Sequence, residues 1–336
     1  MRRAAARGVG TATRGGLQRD HTPRAAQVAH FPLRSQGTNG KFCASLWTFA
    51  ELRLPTPPPS KCCRHACLGA APRDRFHTAA TRMCTLIVLH RLVPGAPLVV
   101  AANRDEYLDR PSEGPALRTT DFGPVVAPRD LRAGGTWLGL NAEGVFVAVT
   151  NLRCPDPDPQ RRSRGLLVMD ALFAGSAAES ADALRALPER TYNPFNLLVA
   201  DSREAFLLSY RETPRIQNLE PGAHVVGNTD PEDREAPKVK RILERAKKVA
   251  HAPHSSLIDE LAVVCGEHGS SDGPLGDTCV HTAAYGTRSS TLLSIGHETS
   301  LDTQSRASTL LYADGPPCRT KYLDFTPLLT EPSPGR

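Results

Sequence analysis

Between Arg82 and Cys84 the chain changes character, and this break sets what can fold. Residues 1–82 show no sustained helical or strand period, carry Pro55-Thr56-Pro57-Pro58-Pro59, and scatter arginines among alanine and glycine. From Cys84 onward, apolar residues recur with regular strand and helix periods. Charge divides at the same place: 14 Lys+Arg against 3 Asp+Glu in residues 1–82, and 27 against 32 in the remainder. The net charge of +6 therefore describes neither part. The basic excess lies where the chain is least able to fold, so the pI of 8.9 is no nucleic-acid signature, and no nucleic-acid partner is expected.

Residues 1–82 read as a basic, disordered extension with three competing explanations: a targeting peptide, a nucleic-acid-binding tail, or translated sequence upstream of the working start. An Arg-rich, acid-poor segment fits a mitochondrial presequence. Its length, few serines and abrupt end at Met83 favour a misplaced start. Residues 83–330 then form one domain, with 40% hydrophobic residues in the whole chain to supply its core. The most apolar stretch, 84–102, is broken by His90, Arg91, Pro94 and Pro97, so no membrane span is expected. Nine cysteines, an odd number with no secretory signal, point to a reducing compartment. The expected location is cytoplasmic, or mitochondrial if 1–82 is a genuine presequence. Cys62-Cys63-Arg64-His65-Ala66-Cys67 has no second ligand pair at finger-like spacing, and no metal is expected.

The patterning predicts strands over 84–92 and 98–103 joined at Pro94-Gly95, then a second hairpin, 136–140 and 145–149, turning at Asn141-Ala142-Glu143-Gly144. These four strands are expected to share a sheet. Helical spacing follows, with Leu166, Val168, Met169, Leu172 and Phe173 after a Ser163 cap, then Ala181, Leu184 and Leu187. Strands return at 195–200, 205–210 and 224–227. Val239, Ile242, Leu243, Ala246 and Val249 mark a helix, and Ser256 with Asp259 is spaced like a capping box for another. Final strands are expected at 288–295 and 308–312. Hairpins with paired helices between them favour layered α+β over a doubly wound sheet.

Phosphate-cradling and dinucleotide motifs and H-E-x-x-H are absent. Gly269-Ser270-Ser271-Asp272-Gly273 matches G-x-S-x-G, but a helix precedes it and a Gly-Pro loop follows, so it reads as a polar loop. Cys84 is more informative. In a chain begun at Met83, removal of the initiator leaves Cys84 with both a thiol and an α-amine of pKa ~8, so one residue supplies nucleophile and base. From residue type alone, a small buried residue in a first strand is the better reading.

After the strand Val99-Val100-Ala101-Ala102 comes Asn103-Arg104-Asp105-Glu106, four polar residues that read as the end of a buried strand. With Met83-Cys84, Gly134-Gly135-Thr136-Trp137-Leu138-Gly139, Val226-Gly227-Asn228-Thr229 and Tyr285-Gly286-Thr287-Arg288-Ser289-Ser290-Thr291, this run resembles the NRDE family, also called the transport and Golgi organisation 2 family, over roughly 83–325. That family in turn resembles the N-terminal nucleophile hydrolases of the choloylglycine and penicillin V acylase type. The resemblance implies a four-layer αββα sandwich. It places Cys84 on the nucleophile, Asp105 on the neighbouring aspartate, Asn151 on an oxyanion-hole asparagine, Asn228 on a second active-site asparagine and Arg288 on the distal arginine. Asn103, Arg104 and Glu106 support these. Ala102 departs from the pattern, standing where those acylases carry an arginine, and Arg104 is the candidate substitute.

Two functions follow from the resemblance. One is a cysteine amidohydrolase or acyltransferase that needs no cofactor and acts on a small amide, acyl or lipid-like ligand. The other is a non-catalytic haem or lipid handling protein with a role in trafficking or Golgi organisation, with His90, His224 and Cys84 as candidate haem ligands. The loops at 154–160 and 266–276 are expected to shape the pocket entrance, and substrate and oligomeric state are not readable.

Overall fold

The computed structural model describes residues 84–121, 123–231, 233, 235–296 and 308–330. The 1–82 extension, the cysteine cluster at 62–67 and Met83 lie outside the described residues. In chain order the elements are β1 (Thr85–Val93), β2 (Ala96–Tyr107), β3 (Ser112–Thr120), β4 (Gly123–Asp130), β5 (Leu138–Asn141), β6 (Phe146–Asn151), α1 (Arg164–Ala171), α2 (Ala177–Arg185), β7 (Phe195–Ala200), β8 (Ala205–Tyr210), β9 (Pro214–Asn218), β10 (Gly222–Val226), α3 (Pro237–Val249), α4 (His254–Cys265), β11 (Tyr285–Ile295), β12 (Thr309–Ala313) and β13 (Leu323–Asp324). They pair into two sheets, β10-β1-β2-β11-β12-β13 and β3-β4-β5-β6-β7-β8-β9, antiparallel throughout.

The period of two along each strand builds the layers. Ile87, Leu89, Val99 and Ala101 turn outward onto Ile242 and Ala246 of α3 and Leu257 and Leu261 of α4. Their neighbours Leu86, Val88, Leu98 and Val100 turn inward against Phe146, Ala148, Leu198 and Leu207 of the second sheet. The outer face of that sheet, with Val147, Leu197 and Val199, packs on Leu167 and Val168 of α1 and Ala181 and Leu184 of α2. The result is an αββα sandwich, as the resemblance implies. Burying Phe146, 1% exposed between the sheets, is worth roughly 2–3 kcal/mol.

Both expected hairpins form, but β1–β2 and β5–β6 lie in different sheets. Each pair is local, whereas the choice of sheet is made by long-range pairing: β1 with β10, and β6 with β7. The patterning also misses β3, β4, β9 and the two-residue β13. β3 carries Gly114-Pro115 at its register shift, β9 begins with Pro214, and both are edge strands, where proline is tolerated. Ser163 caps α1 as expected, its hydroxyl accepting from the Gly165 amide at 3.3 Å. The expected capping box of α4 is not used. That helix begins at His254 after Pro253, and Ser256 donates to the Pro253 carbonyl from inside the first turn. Among the described residues no helix is long and apolar enough to cross a membrane.

Candidate active site

The run 103–106 does not end β2. It continues through the strand, and all four residues are buried, between 1% and 7% exposed. Four polar side chains are buried in succession because alternation divides them between two environments. Asn103 and Asp105 share the outer face with Val99 and Ala101, whereas Arg104 and Glu106 share the inner face with Leu98 and Val100.

Cys84 immediately precedes β1 and, on the parity of Leu86 and Val88, belongs to the inner side. It is half-buried, and its thiol lies 3.6 Å from the Asp105 carbonyl oxygen. It lines a cleft of about 460 Å³ together with Arg104, Asp105, Glu106, Trp137 and Asn151. Burial, followed by the charge of Asp105, pushes the thiol up to about 12, so it is held protonated at neutral pH.

Asp105 is 1% exposed. The Thr287 hydroxyl donates to its Oδ1 at 2.6 Å, and Oδ2 is buried without a hydrogen-bond partner. Burial pushes this carboxyl up to about 7, with Lys238 and the Thr287 bond opposing. Lys238 stands in the first turn of α3, its Nζ buried without a hydrogen-bond partner; burial pulls the ammonium down while Asp105 and Cys84 pull it up. Lys238 belongs to no motif of the sequence. Its signal was available, since Lys238 lies four residues before Ile242 and eight before Ala246, on the stripe that α3 buries.

Arg104 stacks over Trp137 at 4.3 Å from the ring centroid and is among the charges acting on Cys84. It shares a strand face with Ala102, which lets it supply the positive charge the Ala102 position lacks. Glu106 binds Arg110 at 3.5 Å, and Arg110 also holds Asp130 at 2.5 Å, closing one wall with paired charges. Asn103 faces away from the cleft. Its amide donates to the carbonyls of Cys265 and Thr278, both at 2.9 Å, and ties β2 to the helix layer.

Asn151 enters the cleft from the end of β6, and Asn228 lies behind it, its Nδ2 donating to the Asn151 carbonyl. Arg288 stands apart. It occupies the bulge where β11 shifts register between Thr287 and Ser289, does not line the cleft, and lies with Arg104 near Tyr312. Of the loops expected at the entrance, Pro157, Asp158 and Pro159 form part of the cleft wall. The 266–276 loop does not; Ser270 and Gly276 bond Arg241 instead, which also leaves the G-x-S-x-G match as a loop. Of the candidate haem ligands, His90 and His224 stand near each other on the paired strands β1 and β10, but neither joins Cys84: His224 lines a different cavity, and His90 is buried six residues, or ~20 Å, along β1 from Cys84.

The glycine-rich run before Trp137 has a packing reason. A Cβ on Gly135 would fall on the carbonyl group of Gly165, and the Thr136 amide donates to that carbonyl at 3.1 Å. Two backbones touch here, which docks the capped end of α1 against the cleft.

The family model described as Transport and Golgi organisation 2 matches residues 83–307, a span that contains Cys84, the 103–106 run and the three other motifs. The chain belongs to this family. A mouse Transport and Golgi organization 2 homolog is 28% identical over 239 residues, covering 60% of this chain and 84% of the mouse protein. Among solved structures, the Caenorhabditis elegans N-acylethanolamine-hydrolyzing acid amidase ortholog is similar with a TM-score of 0.45 at 13% identity, over 67% of this chain and 98% of that one. Penicillin V acylase from Agrobacterium tumefaciens is similar with the same score and identity, over 74% and 88%. For this family member, Cys84, Arg104, Asp105, Glu106 and Asn151 are thus brought to one cleft, Asn228 adjoins it, and Asn103 and Arg288 do not line it.

Proposed function

We propose that this chain, once Cys84 is its first residue, is a cysteine amidohydrolase or acyltransferase. The observation that carries the reading is the Cys84 thiol in the cleft, 3.6 Å from the Asp105 carbonyl oxygen and one strand from the buried Asp105 carboxyl. A thiol held near 12 needs a base within reach, and a free α-amine on the same residue supplies one. In the reaction, the amine takes the thiol proton as Sγ attacks the substrate carbonyl carbon. The tetrahedral intermediate collapses with cleavage of the C–N bond, the proton passes to the departing amine, and a thioester remains. Water, or an acceptor amine, then attacks the thioester, gives its proton to the α-amine, and restores the thiol. The amide donor of Asn151 is assigned to the oxyanion, Asn228 to holding Asn151 through its carbonyl, and Asp105 to orienting the ammonium.

Six arginines line the cleft, Arg104, Arg110, Arg132, Arg161, Arg162 and Arg164, against the four carboxylates of Asp105, Glu106, Asp130 and Asp158, an excess that favours a substrate bearing an anionic or strongly polar group.

The test is a chain begun at Met83, treated with a thiol-directed acyl probe. Loss of the initiator and acylation of Cys84 are expected, with no adduct in Cys84→Ala. Equal labelling of both proteins sinks the assignment.

A further inference from the structure

Behind β2, on the side away from the cleft, four residues from three chain segments converge. His268 follows α4, Cys279 and His281 precede β11, and Cys318 lies in the turn after β12. Each brings one ligand atom to within 4.8 Å of all the others. His281 Nε2 lies 3.6 Å from Cys279 Sγ and 3.2 Å from Cys318 Sγ. Tetrahedral zinc with Zn–S of ~2.3 Å and Zn–N of ~2.0–2.1 Å separates its donors by roughly 3.3–3.8 Å. The cluster thus needs no backbone rearrangement, only a closing of its widest pair by ~1 Å.

The surroundings fit a metal. Asp277 Oδ2 stands 3.6 Å from His268 Nδ1, the orienting carboxylate that metal-bound histidines commonly have, and it leaves Nε2 for the ion. Asp277 is itself held by the Ser270 amide at 2.7 Å. Cys279 is anchored by its amide to the Glu267 carbonyl at 3.1 Å, and a β-bridge joins His281 to Gly286.

We propose that His268, Cys279, His281 and Cys318 form a structural Cys2His2 zinc site. Two thiols lose their protons on binding, two imidazoles bind neutral, and all four positions are filled by protein, so the site is closed to water and substrate. Its position couples it to the candidate active site, because Thr278, beside Cys279, accepts from Asn103, and Val280 donates to the Thr287 hydroxyl that holds Asp105. Zinc clamps the C-terminal turn to the segment that backs the 103–106 run. In sequence the four ligands carry no metal signature, because their spacings of 11, 2 and 37 residues form no short ligand pair matched by another.

Metal content of the full chain, produced without an affinity tag, tests this. One zinc per chain is expected. It should be lost in Cys318→Ser and in His268→Gln, whose exposed side chains allow the fold to persist, as circular dichroism checks. Cobalt substitution should give the visible bands of a tetrahedral thiolate site, and Asp277→Asn should weaken zinc binding ~10–100-fold. Absence of zinc, its retention in both ligand variants, or recovery of Cys279 and Cys318 as a disulfide in the isolated protein would overturn the proposal.

Discussion

The chemistry of this chain turns on single buried residues, and Asp105 is the clearest. Its folded pKa near 7 lies above the ordinary 3.8, so the folded state holds a proton that the unfolded state has released. Its contribution is therefore fully present below ~4 and is lost as pH rises toward 7, at up to ~1.4 kcal/mol per pH unit. Asp105→Asn should flatten stability against pH over that window, as urea melts at pH 4, 5.5 and 7 will show; an unchanged slope means that another group dominates. Lys238 opposes the burial of Asp105, so Lys238→Met should move the Asp105 titration upward, read from its side-chain carboxyl carbon by NMR. Residue-level legibility was uneven. Cys84 and Asp105 stood out only through the motifs that carry the resemblance, since by residue type alone one reads as a small buried residue and the other as the end of a strand. Lys238 was hidden by its type, since a lysine in a helix usually marks the solvated face. Arg288 matched a motif yet lies on a bulge, a backbone irregularity that no side-chain pattern announces.

At the scale of elements, the strands and helices with uninterrupted periods were readable, as were the hairpin turns. Edge strands with proline or charge were not, because their outer faces and free edges impose no apolar alternation. The Gly134-Gly135 run was legible as a motif but not as a contact, since its cause is the Gly165 backbone 30 residues away in sequence. Gly135→Ala should destabilise by at least ~2 kcal/mol through overpacking that backbone can relieve only by moving α1. Gly144→Ala makes the control. Its Cβ meets nothing, although φ is +79°, so only the ~1–2 kcal/mol conformational cost applies. Denaturant midpoints of the two variants should therefore differ, and equal shifts would remove the close-approach explanation.

For the whole molecule, α+β layering followed from the grouping of hairpins and helices, but the division of strands between two sheets did not. That division depends on partners far apart in the chain, such as Leu86 with Val226 and Phe146 with Ala200. The inner layer between the sheets is the shared core, and Phe146→Ala should cost ~3–5 kcal/mol. In a chain begun at Met83, Trp137 is the sole tryptophan and sits at the cleft, so its fluorescence and far-UV circular dichroism should report one coincident transition. Separate transitions would mean that the sheets unfold independently.

The most direct measurement of the central claim is intact mass and N-terminal sequence after a single exposure to an acyl donor, comparing a chain whose first residue is Cys84 with one that retains residues 1–83. The account predicts a thioester adduct on Cys84 that forms and then hydrolyses only in the first, because in the second the α-amine is locked in a peptide bond. Equal adduct formation and release by both chains, or none by the chain beginning at Cys84 with any amide or acyl donor tried, would contradict it.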